Sequence, residues 1–285
     1  MRHPLAYDVN LSILFTEVPL LQRPAAAGAA GFDAVEYWWP FPEAVPSDRD
    51  ADAFVRAVRD AGVQLVGLNF FAGDMPAGDR GLVSWQARSA EFRDNVDATI
   101  GIGKQLGCTA FNALYGNRVA GEDPKASDAL AVENLALAGR AAARIGGTVL
   151  VEPVSGSPTY PLKTADDAVA VVDRVRVQTG VTNLGLLCDL YHLSANGDDL
   201  DWAVDRYAGQ VAHVQIADSP GRGEPGTGSL DLDRYLSALA NGGYRGWVGL
   251  EYKTTSTTTE QGLDAWLPRD RRGAGTLTEP SREQT

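Results

Sequence analysis

Four side chains with oxygen donors stand at or near the downstream ends of short apolar runs: Glu152 in TVLVEP, Asp189 in LGLLCDLYH, Gln215 in VAHVQIAD and Glu251 in WVGLEYK. A carboxylate taken out of water without a partner carries a large penalty or takes up a proton, so acids seldom sit at the ends of buried strands without a reason. Singly, each has a plain explanation as a helix cap or as the partner of an Arg. Together, three carboxylates and an amide form a set of hard oxygen ligands, suited to Mg²⁺ or Mn²⁺ rather than to zinc or copper. A cation held there would bind adjacent carbonyl and hydroxyl oxygens of a substrate and stabilise the negative charge that develops between them. Two carboxylates flanking that substrate, Glu152 and Glu251, are candidates to take a proton from one carbon and return one to its neighbour, each contributing about 10²–10⁴-fold in rate. The chemistry is the movement of a carbonyl between neighbouring carbons of an α-hydroxycarbonyl compound, through an enediolate.

Such residues need elements that bring them together. Short β-prone runs recur near residues 7–13, 33–38, 63–69, 108–114, 148–153, 184–190, 211–217 and 246–252. Between them lie Ala-rich segments of helical period, including 48–61, 87–106, 125–145 and 165–178, several closed by Gly. Thr164 and Asp167 resemble a capping box with Asp in place of the usual Glu or Gln. Strict alternation of strand and helix implies parallel strands with helical crossovers, and eight units predict closure into a (β/α)₈ TIM barrel, a single domain over residues 1–267. The chain of 285 residues is close to the roughly 250 usual for that fold. Residues 268–285, polar and rich in Pro and Gly, read as a mobile C-terminal tail. In a barrel the four oxygen ligands share one rim, where active sites of this architecture are built. Strand alternation groups Leu187, Asp189 and Tyr191 on one face with Cys188 on the other, under a helix, and sets His213 beneath Gln215.

The remaining composition narrows the function. A net charge of −12 is the wrong sign for a nucleic-acid or anionic-membrane surface, and no run approaches the roughly 18–20 apolar residues of a membrane span. Cys108 and Cys188 form no CxxC pair, and the N-terminus has no apolar signal core, which together point to the cytoplasm. Self-association into a homo-oligomer is left open. Gly221-Arg222-Gly223-Glu224-Pro225-Gly226 satisfies the letters GxGxxG, but it follows the seventh strand, contains Pro225, and precedes a helix that starts only near Asp231, so it is not read as a dinucleotide site. It reads instead as a tight loop that brings Arg222 to a substrate. A guanidinium matches a carboxylate with two parallel bonds, which makes Arg222 the first candidate to hold a small carboxylate substrate, with Lys253 as the alternative. Glu36, Asn69 and Asn112, near the ends of strands two, three and four, are candidates to line the pocket. Trp38, Trp39, Phe70 and Phe71 are candidates for an apolar wall.

The segments VNLSILF, AAAGAAGFDAVEYWWP, AGDMPAGDRG, VEP, CDLYH, HVQIADSPGRGEPGTG and GYRGWVGLEYK together resemble the hydroxypyruvate isomerase family, a branch of the xylose isomerase-like barrels. The likeness runs from about Asp8 to Trp266, and HVQIAD with RGEPGTG and GLEYK are its most specific parts. The resemblance implies one divalent metal held by Glu152, Asp189, Gln215 and Glu251, with Glu152 and Glu251 doubling as proton carriers. It also makes His192 a substrate-binding residue. The related sugar epimerases have His where this chain has Gln215, which speaks against action on longer ketoses. An isomerase of a four-carbon 2-oxo sugar acid needs the same metal and glutamates but a longer pocket. Endonuclease relatives of the superfamily use several zinc ions and many histidines, whereas this chain has three His. A sugar-acid binding protein on the same barrel would be marked by the loss of one proton carrier, and both glutamates are present.

Overall fold

A computed structural model describes residues 3–273. Its eight strands are β1 (Tyr7–Asn10), β2 (Ala34–Tyr37), β3 (Gln64–Asn69), β4 (Ala110–Asn112), β5 (Thr148–Val151), β6 (Leu184–Asp189), β7 (Val211–Ile216) and β8 (Val248–Leu250). Each pairs in parallel with its neighbour in sequence, and β8 closes onto β1 through Tyr7–Val248 and Val9–Leu250. The fold is the single-domain (β/α)₈ barrel that the alternation predicts. The helices are α1 (Arg23–Ala29), α2 (Asp48–Asp60), α3 (Ser89–Leu106), α4 (Pro124–Ala143), α5 (Ala165–Thr179), α6 (Leu190–Asn196), α7 (Leu200–Tyr207), α8 (Leu232–Asn241) and α9 (Thr259–Trp266). Among the described residues, no helix is long and apolar enough to cross a membrane.

Local chemistry fixes where the helices begin. Thr164 Oγ1 accepts from the Asp167 amide at 3.2 Å while Asp167 Oδ2 accepts from the Thr164 amide at 3.0 Å, a complete capping box for α5. Ser47, Asp123, Asp199, Asp231 and Thr258 cap α2, α4, α7, α8 and α9 in the same way with a side-chain oxygen. Between barrel and helices lies an apolar layer in which Val9, Val35, Phe111, Val149, Val214 and Leu250 of the strands meet residues such as Phe54, Phe92, Leu135 and Leu236 of the helices. Cys188 belongs to this layer, as its place on β6 predicts.

The alternate strand positions are of a different kind. Asp8, Asn10, Glu36, Asn69, Asn112, Asp189, His213 and Gln215 are all buried polar residues. Room for the side chains among them comes from glycine: a Cβ at Gly67 or Gly249 would stand 3.0 or 2.7 Å from a carboxylate oxygen of Glu36. At the other end of the chain, Arg272 is fully buried and donates to the carbonyls of Leu267 and Ala30 and to Asp264. Residues 268–273 are therefore packed against α1 and α9, and the remainder of the expected tail lies outside the described residues.

Candidate active site

Strand register sets the oxygen donors side by side. Asp189 at the end of β6 is paired with Gln215 on β7, Gln215 is paired with Gly249 on β8, and Glu152 and Glu251 directly follow β5 and β8. At this end of the barrel a cavity of about 480 Å³ is lined by Glu152 and Glu251 together with Asn69, His192, Arg222 and Lys253. Trp38, Met75, Arg80 and Tyr191 also line it. A wider cleft of about 740 Å³ adjoins it and shares Trp38, Asn69 and Met75, and Trp39, Phe70 and Phe71 belong to that cleft instead.

Each donor has a defined hydrogen-bond state. Asp189 is the N-cap of α6: Oδ1 accepts from the amides of Tyr191 at 2.8 Å and His192 at 3.1 Å, while Oδ2 is buried with no partner. Because α6 starts at once, Tyr191 lies on the helix rather than continuing the strand alternation that groups it with Asp189. Gln215 donates through Nε2 to Glu36 at 2.6 Å and leaves Oε1 buried and unpaired. Glu152 Oε2 accepts from Asn112 Nδ2 at 2.7 Å. Glu251 accepts from Asn10 Nδ2 at 3.3 Å and pairs closely with the Arg222 guanidinium. Burial, with Glu251 and Asp189 adding their charge, pushes the pKa of Glu152 well above the carboxylate range. Burial pushes Glu251 up to about 8 even though Arg222 pulls the other way. Three acids thus gather here with one cation, Arg222, paired to Glu251, and Asp189 and Gln215, which are not among the residues lining the cavity, each keep an unpaired oxygen where buried polar atoms are normally satisfied.

His192 faces the same cavity. Its Nδ1 accepts from the backbone amide of Ser155 at 3.0 Å, so that nitrogen carries no proton and Nε2 does. Nε2 lies 3.7 Å from Asp189 Oδ2 and 3.9 Å from Glu152 Oε1, so Glu152, Asp189 and His192 form one compact buried group. Burial holds the ring neutral, with its pKa lowered to about 4.

Several expected pocket residues stand elsewhere or act otherwise. Glu36 is not in the pocket wall: its carboxylate is taken up by Asn10, His213 and Gln215 in the barrel interior below. Asn112 likewise lies behind Glu152 and reaches the site only through it. Arg222 lines the pocket but is already committed to Glu251, by its side-chain pair and by Nε to the Glu251 carbonyl at 3.2 Å. Lys253, by contrast, has no ion-pair partner among the described residues, and Arg80 donates to the carbonyls of Met75 and Asp79. Met75 and Arg80 belong to the AGDMPAGDRG segment, whose letters were conspicuous but whose loop path no periodicity reveals.

Asp8, Glu36 and His213 also cluster below, with Asp8 fully buried and both its oxygens unpaired. Glu36 is engaged on both oxygens by its three donors, which ties this group together beneath the rim. Burial and the charges of Glu36 and Glu251 raise the Asp8 pKa well above its usual value, which favours the neutral acid.

Arg222 is carried on a cross-braced loop. Asp218 Oδ1 accepts from the amides of Ser219 at 2.8 Å and Leu230 at 3.0 Å, and Oδ2 from that of Gly226 at 2.8 Å. Glu224 accepts from Thr254 Oγ1 at 2.7 Å and from the Thr255 amide, which ties the loop to the Thr run after β8. Arg222 has φ 58° and follows Gly221 at φ 108°, a left-handed pair that turns the guanidinium toward Glu251. The GxGxxG letters thus encode this turn, and α8 starts only at Leu232.

Comparison with known proteins agrees with this architecture. Residues 24–269 match the xylose isomerase-like TIM barrel family. The chain belongs to that family. It is 56% identical over 272 residues to a putative hydroxypyruvate isomerase of Streptomyces coelicolor, covering 94% of this chain and 97% of that one. Hydroxypyruvate isomerase of Escherichia coli is 35% identical, over 92% and 98% of the two chains, and 2-oxo-tetronate isomerase of Cupriavidus necator is 34% identical, over 92% and 96%. Among solved structures, a Brucella melitensis protein described as a family 2 AP endonuclease superposes with a TM-score of 0.82 at 37% identity, over 93% of this chain and 98% of that one. This chain is an isomerase of the hydroxypyruvate isomerase branch of the family.

Proposed function

We propose that the protein is a divalent-metal-dependent isomerase that converts hydroxypyruvate to 2-hydroxy-3-oxopropanoate. The observation that carries the reading is the pair of buried, unpaired oxygens, Asp189 Oδ2 and Gln215 Oε1, beside two glutamates whose pKa values are raised. The donor set of three carboxylates and one amide fits Mg²⁺ or Mn²⁺, and a hard cation held there would offset the charge of these acids. Glu152, Asp189, Gln215 and Glu251 would hold it. When bound, such a cation supplies Lewis-acid stabilisation to adjacent carbonyl and hydroxyl oxygens of the substrate.

The protein's own side chains carry the protons. Glu152 and Glu251, on opposite sides of the β6–β7 edge, take a proton from the carbon of the substrate bearing the hydroxyl and return one to the former carbonyl carbon, by way of an enediolate, while the hydroxyl proton passes to the former carbonyl oxygen. His192 donates from Nε2 to a substrate oxygen, and its Ser155 hydrogen bond keeps that tautomer in place. Arg222 holds Glu251 in position. Lys253, unpaired at the rim, is the better-placed cation for the substrate carboxylate, with Arg222 contributing the donors that Glu251 does not use. The 2-oxo-tetronate isomerase relative favours a second reading, a four-carbon 2-oxo acid as substrate with the same metal and glutamates.

A substrate panel tests the proposal. The metal-free protein should be inactive on hydroxypyruvate and regain activity with Mg²⁺ or Mn²⁺ without refolding. Full turnover by the rigorously metal-free protein would refute the metal reading. A higher kcat/KM for 2-oxo-tetronate or for a neutral ketose than for hydroxypyruvate would replace the substrate while leaving the site intact.

A further inference from the structure

The polar cluster beneath the pocket is tied together by one carboxylate. Glu36 Oε1 accepts from Gln215 Nε2 at 2.6 Å and from Asn10 Nδ2 at 3.0 Å, and Glu36 Oε2 lies 2.7 Å from His213 Nε2. A carboxylate has only acceptor atoms, so the end of the Gln215 side chain that touches it must be the NH₂ group. That orientation leaves Gln215 Oε1 pointing away from Glu36, buried and without a partner. A glutamine amide has two ends of nearly equal size, and the wrong one would aim donor hydrogens at a cation.

Resting on the metal reading above, we infer that Glu36 is a positioning residue that holds the Gln215 amide with its oxygen toward the cation. Glu36 is itself kept from swinging. His213 anchors its second oxygen, and the Gly67 and Gly249 backbones close on it so tightly that a Cβ at either would stand 3.0 or 2.7 Å from its oxygens. The carboxylate therefore acts on the metal site through Gln215 while touching neither substrate nor metal. Asn10, shared between Glu36 and Glu251 at 3.0 and 3.3 Å, joins the same brace to the second glutamate.

The test is Mn²⁺ binding to metal-free protein by titration calorimetry, for the parent, Glu36→Ala, Gln215→Ala and the double variant, with thermal melts to confirm folding. Glu36→Ala should weaken Mn²⁺ by about 10–100-fold, the usual loss on removing a partner that orients a ligand. The same substitution should change affinity by no more than about threefold when residue 215 is already Ala, because nothing remains to orient. A charge-conserving exchange, Glu36→Gln with Gln215→Glu, removes the ambiguity of a variant that fails to fold. A carboxylate presents oxygen from either end, so the exchange should bind Mn²⁺ within about fivefold of the parent and better than Glu36→Gln alone. Unchanged affinity in Glu36→Ala would overturn the inference alone, as would an equal loss with and without Gln215, which would make the charge of Glu36 the cause. A parent protein that binds no Mn²⁺ would overturn it together with the metal reading.

Discussion

The two glutamates should respond differently to the same substitution, because their hydrogen-bond partners differ. Glu152 Oε2 accepts from Asn112 Nδ2, and the other end of that amide, Asn112 Oδ1, is buried without a partner. In Glu152→Gln the Asn112 amide can turn over and accept from the new NH₂, so the contact is kept. Glu251 has donors on both oxygens, Asn10 Nδ2 on one and Arg222 on the other. Asn10 cannot turn, because its Oδ1 accepts from the Ser12 amide at 3.0 Å while Nδ2 also serves Glu36. Glu251→Gln therefore sets an NH₂ group against a buried donor, at a cost of about 1–3 kcal/mol. At about 2–4 °C per kcal/mol for a chain of this size, the melting temperature should fall by several degrees in Glu251→Gln, whereas Glu152→Gln should stay within about 1 kcal/mol of the parent. Both should lose about 10² or more in kcat with a smaller change in KM, since an amide cannot carry the proton. Thermal melts of the metal-free proteins and turnover of hydroxypyruvate with Mg²⁺ measure the two quantities. Equal destabilisation by the two substitutions would refute the account of their partners, and a kcat within tenfold of the parent in either would remove that glutamate from proton transfer.

Asp189→Asn should abolish Mn²⁺ binding yet keep the α6 cap, since an amide oxygen can still accept from the Tyr191 and His192 amides; Asp189→Ala should lose about 1 kcal/mol more in urea denaturation. Lys253→Ala should lower kcat/KM for hydroxypyruvate far more than for any neutral ketose that reacts, whereas Arg222→Ala should depress all substrates because it releases Glu251; the reverse pattern would return the carboxylate to Arg222. Running the reaction in deuterated water should place solvent deuterium on the product carbon, and complete retention of substrate hydrogen at long times would argue for a hydride shift. His3 accepts from the Leu5 amide through Nδ1, and burial holds its pKa down at about 4 against the ordinary 6.5. Between those values the unfolded chain binds a proton that the folded chain refuses, so this contribution is complete above about pH 6.5 and is lost as pH falls through the window. Replacing His3 by Gln should flatten the decline in urea stability between pH 6.5 and 4; an unchanged slope would assign that decline to other groups.

What the sequence disclosed follows from which interactions are local. Asp189 at the end of β6, Gln215 one residue short of the end of β7, the Thr164–Asp167 box and the late start of α8 are set by alternation and capping within a few residues, and each is found in place. Glu36 illustrates the opposite case. An acid near the end of β2 looks like a pocket residue, and only the closure of the barrel, which brings His213 and Gln215 from 177 and 179 positions away, shows that it faces inward and down. Arg222 lies in the loop that the glycines mark, but its engagement with Glu251 depends on the left-handed turn at residues 221–222, which letters alone do not orient. Met75 and Arg80 enter the wall through an irregular loop with no period to follow.

The bracing of residues 218–230 by Asp218 and Glu224 bears on how this pocket can be altered. A loop whose amides are held at three points by one buried carboxylate behaves as a fixed jaw, and a change in its length or path would displace Arg222 and with it Glu251. Adaptation to a longer acid must then come from the opposite jaw, where Trp38 arises from one loop and Met75 and Arg80 from another. In laboratory evolution toward four-carbon substrates, gains should accumulate at positions 38, 75 and 80 while libraries across 219–229 yield mostly inactive protein. A fixed jaw and an adjustable one would let one barrel change its substrate without rebuilding its chemistry, and improved variants drawn mainly from 219–229 would contradict that division.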